Sequence, residues 1–87
     1  MRNEMPADVR SSLGQLLSEA RNFATAGEND TAEALLESAH TVATNKLPEG
    51  TQRDRFRHGC LSASEALPDG TLAAAYIAAM ERRLPEC

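Results

Sequence analysis

Aromatic side chains are scarce: Phe23, Phe56 and Tyr76 make up 3% of 87 residues, and tryptophan is absent. A core without aromatic bulk has to be filled by leucine and alanine, which favours closely packed helices over a sheet. No run alternates apolar and polar residues for long enough to suggest a strand. Cys60 and Cys87 are too few for a disulfide framework, so free thiols in a cytoplasmic chain are expected. Lysine occurs once, at Lys46, and the other eight of the 9 basic residues are arginine. Against them stand 13 acids, for a net charge of -4. That sign argues against nonspecific nucleic-acid binding. No window approaches the ~18 apolar residues of a membrane span. The first six residues, Met-Arg-Asn-Glu-Met-Pro, hold no apolar signal core, so no secretory leader is expected.

Hydrophobic residues nonetheless make up 41% of the chain, and their spacing is helical. Val9, Leu13, Leu16, Leu17, Ala20, Phe23 and Ala24 fall within an arc of roughly 120° at helical periodicity. A second stripe follows at Ala32, Leu35, Leu36, Ala39, Val42 and Ala43. Between the two, Gly27 suits the left-handed residue that closes a helix, and Asp30 with Glu33 suits the start of the next. So short a link makes the helices antiparallel neighbours.

Further on, residues 47–51 read Leu-Pro-Glu-Gly-Thr and residues 67–71 read Leu-Pro-Asp-Gly-Thr. Leu84-Pro-Glu-Cys87 echoes the opening of the same pattern. Proline pushes the leucine before it into extended geometry and stops the preceding helix. Either Thr51 and Thr71 cap the following helices, or each proline is a first helical residue. The expected helices are 8–26, 30–46, 51–66 and 71–84, in one all-α domain of two antiparallel hairpins.

The third helix points Phe56, Gly59, Cys60, Ala63 and Leu67 inward, leaves Leu61 stranded in solvent, and uses Gly59 for a close crossing. The fourth is apolar nearly all round. Leu72, Ala75, Tyr76 and Ala79 form one face; Ala73, Ile77, Met80 and Leu84 form a second beside it, spanning roughly 200° together. Either this helix sits at the centre of the bundle, or its second face, with Leu61, meets another chain. The second alternative makes Leu61, Ala73, Ile77, Met80 and Leu84 an interface, and Ile77→Glu should then leave a folded monomer.

Arg53-Asp54-Arg55-Phe56-Arg57-His58 is the densest polar cluster. On a helix its members do not share a face: Arg53 and Arg57 flank one edge of the apolar stripe, Arg55 the other, and His58 points away. Arginine stems covering apolar surface are the plain reading; with Arg82 and Arg83, an anion or nucleic-acid site at Arg53, Arg55, Arg57, Arg82 and Arg83 is the alternative. His40, His58, Cys60 and Cys87 match no compact metal-binding spacing, and Cys60 falls on the core stripe. His40 lies at a stripe border, where a half-buried structural role is expected. Neither a nucleophile with a base in reach nor a phosphate-cradling glycine loop is visible, so neither enzyme activity nor a cofactor is expected.

Leu16, Ala20, Phe23, Gly27, Ala32, Leu36 and Ala39 give the first hairpin a resemblance to one tetratricopeptide-type repeat. Glu19 stands where that family has a leucine, Pro48 closes the unit late, and the same spacing suits any close-packed hairpin. Separately, residues 42–50 with Arg53-Asp-Arg55 and His58-Gly-Cys60 are similar to small uncharacterised helical proteins of halophilic archaea. That resemblance implies a salt-rich cytoplasm and no particular activity. Together these features describe a noncatalytic interaction module. Its expected partner is itself, as a homodimer through the last helix, or another helical protein; nucleic acid is the lesser alternative, and no membrane is involved.

Overall fold

The computed structural model describes residues 6–84, and these form four helices: α1 (Ala7–Thr25), α2 (Asn29–Lys46), α3 (Thr51–Ala66) and α4 (Gly70–Arg83). No strand occurs among the described residues, and the domain is all-α. Links of three, four and three residues make successive helices antiparallel. Helix α1 packs on α2 and α4, and α3 packs on the same two, which closes the two hairpins into a ring around one core.

That core is leucine and alanine, as the shortage of aromatics requires. Leu13, Leu17, Leu36, Cys60 and Ile77 are its largest fully buried side chains. Ala20, Ala39, Ala43 and Ala63 lie between them and let the backbones approach. Among the described residues no polar or charged side chain is buried.

The helix ends follow local chemistry. Gly27, at φ 85°, closes α1: its N–H donates to the Ala24 carbonyl at 3.1 Å, and Glu28 N–H donates to Phe23 at 2.8 Å. This is the paired bonding of a Schellman cap, which needs a residue free to adopt positive φ. Asp30 is not the cap of α2; that helix begins at Asn29, with Asp30 in its first turn where a carboxylate suits the helix dipole. Neither alternative for the two Leu-Pro-Xaa-Gly-Thr segments holds. Helix α3 begins at Thr51 behind Gly50, whose φ of 150° excludes other residues. Helix α4 begins one step earlier in the motif, at Gly70, because the Asp69 carboxylate accepts from Leu72 N–H at 3.2 Å. Glu49, at the equivalent place, reaches instead toward Arg53 at 4.0 Å.

The largest correction concerns α4. Ala73 and Ile77 are fully buried and Met80 is 8% exposed, so the stripe expected to meet another chain belongs to the core of this one. Leu84 packs half-buried against the same core, and of the expected interface only Leu61 stays well exposed, at 55%. The adjacent stripe faces out: Leu72 is 46% and Tyr76 44% exposed. Gly70 and Glu81 fix this rotation. A methyl on Gly70 would sit 3.0 Å from the Ala24 carbonyl carbon and well inside contact distance of its oxygen, so α1 and α4 touch where there is no side chain. At the other end, Arg21 on α1 holds Glu81 in a forked pair at 2.6 and 3.4 Å. The hydrogen bond and then the charge of Glu81 hold the Arg21 guanidinium more firmly protonated than usual. Phe23 also departs from expectation: it lies 38% exposed at the edge of its stripe.

Candidate docking face between α3 and α4

Turning Ile77 inward leaves Tyr76 beside α3, and between these helices runs an open groove of about 1340 Å³. Its floor is apolar. Phe56 and Met80 form it, with Gly59 as the point of closest approach. A methyl on Gly59 would come within 2.8 Å of the Met80 sulfur, so the missing side chain on α3 is what admits the methionine of α4. Gly59 thus serves the close crossing expected of it.

The groove has a polarity along its length. Because α3 and α4 run antiparallel, the start of one lies beside the end of the other. Arg55 and Arg83 line that end together with Leu84, and Asp54 is the one acid among the described lining residues. Tyr76 stands further along on the α4 side, and Leu72 lies one turn beyond it. Arg83 and Arg82 also complement the carbonyl end of the α4 dipole, an ordinary reason for basic residues in a last turn.

The arginines of the sequence cluster are not brought together. Arg53 faces Glu49 at 4.0 Å, and Arg57 donates from Nε to His40 Nε2 at 3.4 Å, bridging α3 to α2. Arg55, Arg82 and Arg83 make no ion pair with any described residue. The separation of Arg53 and Arg57 from Arg55 read from the helical wheel is the separation found: Arg55 lines the groove with Arg83, and Arg53 and Arg57 do not. His40 is half-buried with Arg57 as its partner.

His58 lines the groove, where Ser62 Oγ lies 3.5 Å from His58 Nε2. The two are exposed, one helical turn apart, at the limit of hydrogen bonding. Among the described residues no carboxylate contacts the other ring nitrogen, the position of the orienting group in a nucleophile–base pair. Cys60, two residues away, points into the core at 2% exposure, and burial pushes its thiol pKa up to about 12. It is protonated at neutral pH and unsuited to metal or nucleophilic work. Among the described residues no three of His, Cys, Asp or Glu gather as a metal site would require, and no helix is long and apolar enough to cross a membrane. Cys87 lies outside the described residues.

A second, smaller groove of about 310 Å³ lies between α2 and α3, beside the exposed Leu61. Its lining carries Glu37 and no arginine or lysine. The α3–α4 groove is not visible in the sequence, where Tyr76 is one member of a helix face with Leu72, Ala75 and Ala79. The signal available was the pairing of Leu72 and Tyr76 at i and i+4, close before Arg82 and Arg83.

Fold and groove together define an all-α four-helix domain with one apolar, basic-edged face. The chain belongs to the family described as Domain of unknown function (DUF8101), whose match spans residues 1–86. No curated protein and no solved structure matches it.

Proposed function

We propose that this protein is a noncatalytic interaction module that docks another helical protein in the groove between α3 and α4. The observation that carries the reading is Tyr76: a large amphipathic side chain, 44% exposed, beside an apolar floor of Phe56 and Met80. Tyrosine in such a place contributes much contact area for little conformational entropy, which is why it is enriched where proteins bind one another. Leu72 extends the same apolar strip. A second copy of the chain is a weaker candidate for the partner than a different protein, because Ala73, Ile77 and Met80 already serve the core. In this reading the α1–α2 hairpin is a tetratricopeptide-like scaffold, with Ala20, Ala32, Leu36 and Ala39 buried at the packing positions of that resemblance. The cytoplasm, salt-rich if the resemblance to halophile proteins holds, is the compartment proposed, and the buried thiol of Cys60 suits reducing conditions.

The test is site-specific photo-cross-linking in the native host. Benzoylphenylalanine replaces Tyr76 in one strain and the exposed Glu33 of α2 in another. A discrete adduct at position 76 that is absent at position 33 is expected. Equal labelling at both positions, or none at 76, refutes the reading, and an adduct of twice the chain's own mass would return the homodimer.

A further inference from the structure

We infer that the occupant of the α3–α4 groove is an acidic amphipathic helix: one that lays an apolar stripe on Phe56, Tyr76 and Met80 and sets carboxylates against Arg55 and Arg83. This rests on the docking reading above and adds the chemistry of the partner.

The argument is the distribution of charge. The chain carries -4 overall, yet two guanidinium groups stand at one end of this groove without an ionic partner among the described residues. Arg21, Arg53 and Arg57 have partners in Glu81, Glu49 and His40, while Arg82 and Lys46 are unpaired among the described residues but line neither groove. An acidic protein that leaves two guanidinium groups open beside exposed aromatic and apolar surface presents a site complementary to carboxylates there. Guanidinium is suited to this, because its planar fork binds a carboxylate through two hydrogen bonds. The shape fits a helix. The groove is bounded by two antiparallel helices, and α3 at 16 residues is ~24 Å long, about four turns of a partner. The polarity of the groove sets the direction of the fit: acids at the Arg55–Arg83 end, apolar residues toward Tyr76 and Leu72. A nucleic acid fits less well. The five candidate arginines do not share a face, and Asp54 stands among the lining residues.

The absence of tryptophan from the protein supplies the assay. The probe is a blocked 16-residue helical peptide with a leucine stripe, one tryptophan in that stripe and glutamates flanking it. A second peptide carries lysine at each glutamate position. Titration of each with the intact protein is followed by tryptophan fluorescence at low and at physiological salt. The glutamate peptide should bind at least about tenfold more tightly, a preference that falls as salt screens the pairs. Arg55→Ala with Arg83→Ala should weaken it about five- to tenfold. Lys46→Ala, a positive charge removed from the end of α2, should change nothing. Arg55→Glu with Arg83→Glu should reverse the preference toward the lysine peptide, and circular dichroism checks that each variant stays folded.

Equal binding of the two peptides, no binding of either, or a preference that charge reversal leaves unchanged overturns the inference. So does a mixed-sequence RNA that displaces the glutamate peptide from the same two arginines. So does a dimer in light scattering that those variants dissociate, which would make a second copy the occupant. The two proposals fail separately. A cross-link at position 76 without charge selection keeps the docking face and removes the acidic partner; no cross-link and no selection removes both.

Discussion

Substituting Gly59, which faces α4, and Gly70, which faces α1, tests how this bundle is held together. Gly70→Ala and Gly59→Ala are the same chemical change, an added methyl, and each would create a close contact. The neighbour differs. At Gly59 the methyl meets Met80, with the sulfur at 2.8 Å and Cγ at 3.0 Å, atoms of an unbranched side chain that can turn away. In exchange, α3 gains the roughly 1 kcal/mol by which alanine exceeds glycine in a helix interior. The two terms are of similar size, so Gly59→Ala should change stability by no more than about 1 kcal/mol in either direction.

At Gly70 the methyl meets main chain: the carbonyl of Ala24, whose carbon would lie 3.0 Å away and whose oxygen would be closer still. Backbone cannot rotate aside. Carbon–oxygen contacts rarely close below ~3.3 Å, so α1 and α4 must part by on the order of 1 Å. That displacement also opens the small cluster of Ala24, Ala32 and Ala73, each buried to 1% exposure or less. Overpacking of this kind costs about 1–3 kcal/mol, and with the loosened cluster about 2–4 kcal/mol is expected for Gly70→Ala. At roughly 4–8 °C per kcal/mol for a domain this small, the melting temperature should fall by about 8–32 °C. Urea unfolding followed by helical circular dichroism measures both variants, with an unchanged m-value checking that the same transition is compared. If Gly70→Ala proves no less stable than Gly59→Ala, the contact between α1 and α4 is not the one described.

Two further outcomes follow from the orientation of α4 and the burial of Cys60. Ile77→Glu should abolish cooperative unfolding rather than yield a folded monomer, because a carboxylate at a fully buried site costs several kcal/mol, comparable to the whole stability of a small domain; a sharp native-like transition would contradict it. The Cys60 thiol has its pKa raised from the ordinary 9.0 to about 12, so the unfolded chain ionises first and the thiol's contribution is complete below pH 9 and is lost between pH 9 and about 12. Wild type should therefore lose about 1 kcal/mol between pH 8 and pH 10 relative to Cys60→Ala; parallel pH dependences would refute it.

The fold class was legible because its signals are local. Alanine and leucine at helical spacing, a glycine able to take positive φ at 27, and proline after Leu47 and Leu67 each act within one turn, and the four helices follow from them. The caps were less legible. Asp69 and Thr71 are both good capping residues two positions apart, and which one wins depends on where Gly70 meets α1. The rotation of α4 was not legible at all. Its sequence is apolar over two adjacent stripes, so hydrophobicity alone gives both orientations similar standing. Deciding between them takes the Gly70–Ala24 contact and the Arg21–Glu81 pair, the latter between residues 60 apart in the chain. The candidate interface inherited that ambiguity, and it is why Ala73, Ile77 and Met80 were expected on the wrong side.

The rotation also determines where function can reside. Had α4 turned Leu72 and Tyr76 inward, the outer surface beside α3 would have carried Ala73, Ile77 and Met80, a strip with no hydrogen-bonding group. Such a strip selects partners by apolar area alone and tends toward association with copies of itself. The orientation found exposes a phenol instead, and it brings Arg83 into the same groove as Arg55. Apolar area then combines with directional donors, which add discrimination between partners more than raw affinity. A core without any buried polar side chain among the described residues gives the bundle stability but no selectivity. In the docking reading proposed above, selectivity comes from surface groups whose positions the core fixes, and Tyr76, Arg55 and Arg83 are the groups that the packing of Ile77 and Met80 holds beside one groove.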